Sequence, residues 1–207
     1  DYLGSTQVTA AGFLWDPETH TAEVLTDGDS QLLEPTFFHT ATEDPKGNIV
    51  FAGGSMASTQ DLYFTPRSRV EIYDPFTREL SLAGGSSTGE LIWHSAARFR
   101  EEGVLLCGGT SFASSSSYEL SRACDLLDTA GDFTAFDESQ MLPIGLVHHQ
   151  MTTLADGRVL VTGGFSADGD LLVTSTSGAI DASASRRAFI YDGEVWTETS
   201  PMAIARG

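Results

Sequence analysis

The chain has 207 residues, of which 41% are hydrophobic and 21 are glycine, so it is long enough to bury a core and too apolar to be disordered. Its 29 acidic residues against 11 basic ones give a net charge of -18, which disfavours nucleic acid and anionic membranes as partners. No apolar stretch reaches the roughly 20 residues of a membrane-spanning helix, so we expect no membrane span.

The first predicted element, within residues 1–30, is a pair of strands near 8–16 and 21–26, joined by the turn that begins at Asp16-Pro17. Alternating apolar residues ending in a Trp-Asp-Pro turn are typical of a β-hairpin. The chain opens at Asp1 without Met or a basic leader, as expected of a processed or partial chain.

Three longer units follow at residues 31–84, 90–138 and 141–199, and residues 200–207 lead into a further unit. Each contains a His, then a short apolar run, then a Gly-Gly pair, and the His recurs every 55 residues. Glycine pairs within strands indicate a bulge or a close backbone approach, so we predict a structural role for them. The recurring residues are His39, His94 and His149, with Gly53-Gly54, Gly108-Gly109 and Gly163-Gly164.

A second landmark follows each glycine pair: Tyr73-Asp74, Leu127-Asp128 and Tyr191-Asp192, the last followed by Trp196. Each unit therefore predicts four short strands, without the spacing of an amphipathic helix. One small sheet cannot bury both faces alone, so the repeat predicts sheets packed face to face around an axis. The expected fold is all-β, with Tyr73, Tyr191 and Trp196 as structural repeat residues.

The pattern of His, apolar run, Gly-Gly, Tyr-Asp and Trp resembles the kelch repeat. The segments 157–164, 190–192 and 201–207 are most similar to bacterial kelch proteins and the galactose oxidase-like propeller. The resemblance implies a kelch-type β-propeller with about three and a half four-stranded blades in this chain. Rings of that family have six or seven blades, so we expect further blades from a longer chain or from another chain.

The resemblance also raises a copper radical oxidase as a hypothesis. That family has its crosslinked Cys and Tyr one residue before the recurring His, where this chain has Phe38, Trp93 and His148. No catalytic residue is therefore transferred, and the copper ligands would lie in missing blades. His148 breaks the repeat and is a candidate binding residue. His39, His94 and His149 are weaker candidates for a metal site.

Two further regions are candidate contacts. Phe112 lies within a serine-rich stretch, Ser111–Ser117, and Tyr118 follows it, while residues 171–186 form a longer segment in the third unit. We interpret both as loops between strands, and propeller loops commonly carry recognition. The acidic pairs at 27–29 and 168–170 resemble fragments of calcium loops, but lack the further oxygen ligands of a complete site.

Cys107 and Cys124 fall on strands expected to be neighbours in the second unit. They form a disulfide if they are directly opposed, which would imply an oxidising compartment; two buried free thiols are the alternative.

Three functions remain open. The first is a non-enzymatic binding module, secreted or on the cell surface or in the periplasm, that recognises a protein or glycan. The second is a fragment of a copper oxidase, and the third is a structural subunit of a larger assembly. No cofactor is predicted, with copper and calcium as the metals to test.

Overall fold

The computed structural model describes residues 10–25, 35–57, 64–85, 92–114, 117–167, 171–173 and 182–207. In this part of the chain all regular structure is β-strand in antiparallel pairs, without any helix, which confirms the all-β prediction. No helix capable of crossing a membrane occurs among the same residues. The strands are β1 Gly12–Asp16, β2 Thr21–Leu25, β3 Thr40–Glu43, β4 Ile49–Ala52, β5 Ser55–Ala57, β6 Phe64–Pro66, β7 Val70–Asp74, β8 Glu79–Leu82, β9 Ile92–Phe99, β10 Gly103–Ser114, β11 Ser117–Leu120, β12 Cys124–Asp128, β13 Phe133–Ala135, β14 Gln150–Thr153, β15 Val159–Thr162, β16 Phe165–Ser166, β17 Leu171–Val173, β18 Ala182–Ala184, β19 Ala188–Tyr191 and β20 Trp196–Thr199.

Three sheets repeat one topology. The first sheet has the order β3-β4-β7-β8, the second β9-β10-β12-β13 and the third β14-β15-β19-β20. Every pair in these sheets is antiparallel. The apolar runs before the three Gly-Gly pairs form the second strand of each sheet, because alternating or fully apolar short runs suit strands buried on one or both faces.

Additional strands lie between the second and third strand of each sheet. In the second and third sheets the sequence suggested loops at these places. β5 pairs with β6, β10 continues to Ser114 and pairs with β11, and β18 pairs with both β16 and β17. The loop interpretation of 111–117 and 171–186 was therefore wrong for the parts that these strands cover. Pairing satisfies backbone donors and acceptors that an irregular loop would leave to water.

The second sheet lies between the other two. In β10 the consecutive residues from Val104 to Cys107 are all buried. Val104 and Leu106 pack with Val50 and Val70 of the first sheet. Leu105 and Cys107 share a second core cluster with residues of the third sheet, among them Met151, Val159, Val161, Phe189 and Tyr191. Both faces of the middle sheet are thus covered by neighbours, which explains its unbroken apolar run.

The outer elements leave apolar surface exposed. In β4 and β15 only alternate residues are fully buried. The β1–β2 hairpin pairs Phe13 with Val24 and Trp15 with Ala22. The side chains of these four residues therefore lie on the same face of the hairpin. Phe13, Trp15 and Val24 are 66%, 60% and 45% exposed. An apolar sheet face of this kind normally packs against another element.

Cys107 and Cys124 are directly opposed in the β10–β12 register and form a disulfide. This settles the alternative that the sequence left open. Both residues are buried at the centre of the second sheet, so the bond ties its second and third strands together inside the core.

We expect reduction of this disulfide to lower the free energy of unfolding by about 3 kcal/mol, because the bond closes a short loop in the unfolded chain. Urea denaturation with and without dithiothreitol measures the change. The control is the double variant Cys107→Ala, Cys124→Ala, whose midpoint should not respond to the reductant. Equal midpoints for the oxidised and reduced parent chain would contradict the expectation.

Candidate functional site

The first strands of the three sheets lie side by side and border a cavity. β9 contacts β3 on one side and β14 on the other. The cavity between them has a volume of about 450 Å³, which is within the range of small-molecule sites. Its described lining consists of Phe38, Thr40, Ala41, Thr42, Trp93, His94, Ser95, Ala96, His148, His149, Gln150 and Gly207.

Aromatic side chains form a continuous row along this cavity. The ring centroids of Phe38 and Trp93 are 6.1 Å apart, and those of Trp93 and His148 are 5.2 Å apart. Phe165 continues the row with an edge-on contact to His148 at 6.1 Å. We call Phe38, Trp93, His148 and Phe165 the aromatic row. Phe38 is 47% exposed and His148 is also exposed, so the row is accessible to a ligand.

Three members of the row have an unusual backbone. Phe38, Trp93 and His148 have φ of 61°, 57° and 53°, the left-handed region that favours Gly and Asn. Part of the reason is hydrogen bonding between sheets, since the His148 N–H donates to the Trp93 carbonyl at 2.9 Å. The fold thus requires the conformation. It does not require a large aromatic ring at these positions, where Gly would be less strained.

Replacing His148 by glycine should therefore yield a protein more stable than His148→Ala by about 1 kcal/mol, because alanine retains the left-handed strain and glycine does not. Both variants lose the same imidazole contacts, so the comparison isolates the backbone. Urea midpoints of the two proteins give the difference. An alanine variant as stable as the glycine variant would show that the backbone at 148 is unstrained.

The other side chains of the described lining are small or polar, and none is acidic or basic apart from histidine. The His94 Nε2 and Thr40 Oγ1 atoms form a 3.0 Å hydrogen bond between the first and second sheets. The Ser95 Oγ accepts a 3.0 Å hydrogen bond from the Met151 N–H of the third sheet. Within the described lining there is no Asp, Glu, Lys or Arg, although the chain as a whole carries a net charge of -18.

Two buried histidines, His94 and His149, also line the cavity. Burial lowers the pKa of His94 to about 3 and that of His149 to about 4, with smaller contributions from neighbouring imidazoles. Burial also lowers the pKa of His39 and His148. All four side chains are therefore neutral at pH 7. The histidines therefore add no charge to a cavity whose described lining has no Asp, Glu, Lys or Arg.

The three recurring histidines do not form a metal site with other ligands. Among the described residues, no group of three His, Cys, Asp or Glu side chains could hold a metal ion. His39, His94 and His149 occupy equivalent positions near the start of β3, β9 and β14, but they do not meet as one ligand set. The acidic pairs at 27–29 and 168–170 lie outside the described residues.

The other predicted site residues occupy different places. His148 lies in the cavity wall. Phe112 and Tyr118 are paired with each other across β10 and β11, and the described lining of the cavity includes neither. Tyr191 lies in the core of the third sheet, and the partly buried Trp196 packs against it with the ring centroids 4.9 Å apart. The Trp196 Nε1–H donates to the Gln140 carbonyl at 2.8 Å.

The repeat glycines allow the sheets to approach. All six residues of the pairs have positive φ, between 63° and 89°. Gly108 of the second sheet lies against His149 and Leu146, which lead into the third sheet. Gly163 lies against Met202 and Arg206 in the same way. The first glycine of these two pairs thus contacts the segment that enters the next unit.

Comparison with known proteins identifies a similar fold. The structure of YjhT matches with a TM-score of 0.64 over 93% of this chain, at 14% sequence identity. The likeness shows the fold alone. The chain spans 62% of the length of YjhT. No family model matches the sequence, and no curated protein matches it.

Sequence reasoning missed two of the three cavity residues that precede the recurring histidines. It selected His148 because this residue differs from Phe38 and Trp93, whereas all three equivalent positions line the cavity. Their equivalent place in the repeat, one residue before each recurring His, could have identified them. Residues at equivalent places on neighbouring strands come together when those strands lie side by side. Phe165 had no such signal beyond following a Gly-Gly pair.

Proposed function

We propose that this chain is part of a kelch-type β-propeller that acts as a non-enzymatic binding module, with its ligand in the cavity between β3, β9 and β14. Three antiparallel sheets that share one order of four strands support the propeller. The likeness to YjhT over 93% of the chain supports a fold shared with that larger protein. On this proposal the three sheets are adjacent blades and the cavity lies at their inner strands.

The uncharged lining is the observation that carries the proposal. A cavity of about 450 Å³ bordered by aromatic rings and by hydroxyl, amide and neutral imidazole groups has the composition of a ligand site. It lies in a protein with 29 acidic residues, so the absence of charge from its described lining favours a neutral ligand. A charged ligand would lose hydration without gaining an ion pair.

Ligand-observed NMR tests this proposal on the protein that carries the chain, with a panel of neutral and charged small molecules, each at the same concentration. We expect the hits to be neutral, polar compounds, and Ala41→Phe to abolish binding because Ala41 lines the cavity. The matched control is Ala130→Phe, at an exposed turn residue between β12 and β13. Binding of charged compounds that Ala41→Phe does not affect would overturn the proposal.

The exposed apolar faces support the expectation that further strands complete the propeller. The β1–β2 face belongs to a hairpin joined to the first sheet by the Glu23–Arg78 ion pair. A second exposed surface, at Val195 and Ile204, lies with the third sheet. We propose that blades of the same kind, from the same or another chain, cover both. Light scattering of native material should give a mass above 22.1 kDa, and mass spectrometry under denaturing conditions then identifies whether one chain supplies it. A stable monomer of that mass would contradict it.

A buried disulfide supports a secreted, surface or periplasmic location, because such bonds persist in oxidising compartments. The copper oxidase hypothesis stays a prediction about residues outside this chain. The described cavity lining contains neither the Tyr nor the Cys that such a site uses. Copper analysis of the native protein, with a search for a tyrosyl radical signal, tests it.

A further inference from the structure

We propose that the aromatic row is a stacking surface for a neutral carbohydrate, so that sugar rings lie on Trp93 and its neighbours while their hydroxyl groups reach the polar residues beside it. This inference rests on the proposed function, since it names the ligand class of the same cavity. Phe38, Trp93 and His148 line the cavity, and their backbone conformation does not require an aromatic side chain.

The backbone conformation at the aromatic row does not require aromatic side chains. The left-handed conformation recurs at Phe38, Trp93 and His148, and it is least strained with glycine. The chain instead has three rings there, and two of these residues are exposed. Contacts between the rings return roughly 0.5–1.5 kcal/mol per pair, which is of the same size as the strain. These contacts come in addition to the area that the rings bury, which is largest for Trp93. The exposed parts of Phe38 and His148 gain nothing from burial, so folding alone does not account for them.

The arrangement of the rings limits the shape of the ligand. Neighbouring rings in the row already touch, with centroids 5.2–6.1 Å apart and interplanar angles from 35° to 88°. A planar base cannot enter between such rings, because a slot that holds one needs two parallel faces about twice the stacking distance apart. The row therefore offers an outer surface. A pyranose ring, which has an apolar C–H face and a polar rim, suits a surface of this kind.

The polar groups beside the row match the rim of a sugar. Thr40, Thr42, Ser95 and Gln150 line the same cavity and supply hydroxyl and amide groups that both donate and accept hydrogen bonds. Hydroxyl groups of a carbohydrate have the same dual character. No cation within the described lining could pair with a carboxylate or phosphate, so acidic sugars and nucleotides fit poorly. The net charge of -18 adds long-range repulsion to such anions.

The test compares sugars that differ only in charge. The probes are four-residue oligosaccharides of galactose, glucose, xylose, mannose and N-acetylglucosamine, with oligogalacturonate of the same length as the charged counterpart of the galactose probe. Titration is followed by calorimetry and by tryptophan fluorescence. We expect at least one neutral probe to bind and the galacturonate to bind at least about tenfold more weakly than its neutral counterpart, a difference of about 1.4 kcal/mol.

Variants locate the sugar on the row. Trp93→Ala should weaken binding of the neutral probe at least about tenfold, as expected for loss of a central aromatic contact, whereas Trp93→Phe should retain most of the affinity. Phe76→Ala is the matched control, because Phe76 is 98% exposed in the turn between β7 and β8 and does not belong to the described cavity lining. Phe38→Ala provides a second removal of a row member should Trp93→Ala fail to fold, as judged by its thermal melt.

The outcomes separate this inference from the proposed function. If no neutral oligosaccharide binds while other neutral compounds bind in the cavity, the carbohydrate inference is overturned and the binding module stands. If neither class binds, both fail. If a neutral sugar binds but Trp93→Ala and Phe38→Ala leave its affinity unchanged, the sugar lies elsewhere and the stacking surface is overturned.

Discussion

Replacing Gly108 by alanine should destabilise the protein by about 4 kcal/mol, because the new side chain combines a strained backbone with overpacking between two sheets. Gly108 has φ of +73°, and a Cβ atom there would lie 2.6 Å from the His149 Cε1 and 2.6 Å from the Leu146 carbonyl oxygen. The carbonyl cannot easily move away, since it accepts a 2.8 Å hydrogen bond from the Gly109 N–H. The second and third sheets would have to separate.

Gly47 provides the matched control. Its φ is +87°, and an added Cβ would meet nothing within 4 Å among the described residues. Gly47→Ala should therefore show the left-handed strain alone, about 1 kcal/mol. Chemical denaturation of both variants gives the two values, and their difference measures the close approach of the sheets. Equal losses of stability at the two positions would show that the spacing between the second and third sheets adapts freely.

The glycine pairs also illustrate why so much of the fold could be predicted. A strand needs only a short apolar run and turn residues beside it, and both are local properties of the sequence. The run before Gly108 and the turn at Ala155–Arg158 could thus be assigned to strands and a hairpin, which the structure has at β10 and between β14 and β15. Because the same landmarks recur every 55 residues, the equivalent strands of the three sheets could be assigned as well.

Other features depend on contacts that no local pattern encodes. The disulfide required Cys107 to be opposite Cys124, and one residue of register decides whether two side chains share a face of the sheet. The additional strands β11 and β18 follow serine-rich or polar segments, which local propensity assigns to loops. In the structure they pair with β10 and β16, whose backbone groups would otherwise form an open edge.

The candidate site was only partly predictable for a related reason. The sequence located His148 but could not show that Phe38, Trp93 and His148 form one row, because they are 55 residues apart and meet only when β3, β9 and β14 are adjacent. The uncharged character of the cavity is likewise a property of the packed strands. A composition with 19% charged residues gave no indication of it.

Acidification should unfold this protein between about pH 6.5 and pH 4, because two buried imidazoles resist protonation. The pKa of His94 is about 3 and that of His149 about 4, against an ordinary value of 6.5. In this range the unfolded chain binds protons that the folded chain does not. Stability is therefore fully present above pH 6.5 and falls as the pH drops toward the folded values. The full loss is on the order of 5 kcal/mol for His94 alone.

The buried environment explains why these rings stay neutral. His94 has one hydrogen bond, to Thr40, and its Nδ1 has no partner within the described part of the chain. His149 has no hydrogen bond of good geometry there at either nitrogen, although the Cys107 backbone partly offsets the effect of burial on its pKa. His39 and His148 are the titratable neighbours, and a charge on either would further oppose protonation. No carboxylate is among the groups that shift either pKa.

Carboxylates affect stability in a different pH range. Asp74, Asp128 and Asp192 accept backbone hydrogen bonds in turns, which lower their pKa from 3.8. They reduce stability only when the pH falls to about that value or below. Above it, partial protonation of other acidic residues reduces the repulsion of a chain with a net charge of -18 and should stabilise the fold. A loss of stability that begins near pH 6.5 therefore identifies histidine.

Urea denaturation at intervals between pH 7.5 and pH 4.5, roughly the interval in which an unperturbed His titrates, measures the effect in the parent chain and in the double variant His94→Gln, His149→Gln. Glutamine has no titration in this range, so the variant should lose much less stability than the parent chain, with only the contributions of His39 and His148 remaining. NMR titration of the folded parent is the direct test, since the imidazole signals of His94 and His149 should not shift until the protein unfolds. If the imidazole of either histidine titrates near pH 6.5 in the folded state, burial does not hold its pKa down and the prediction is wrong. The lining of the cavity, which includes both histidines, would then be charged in mild acid.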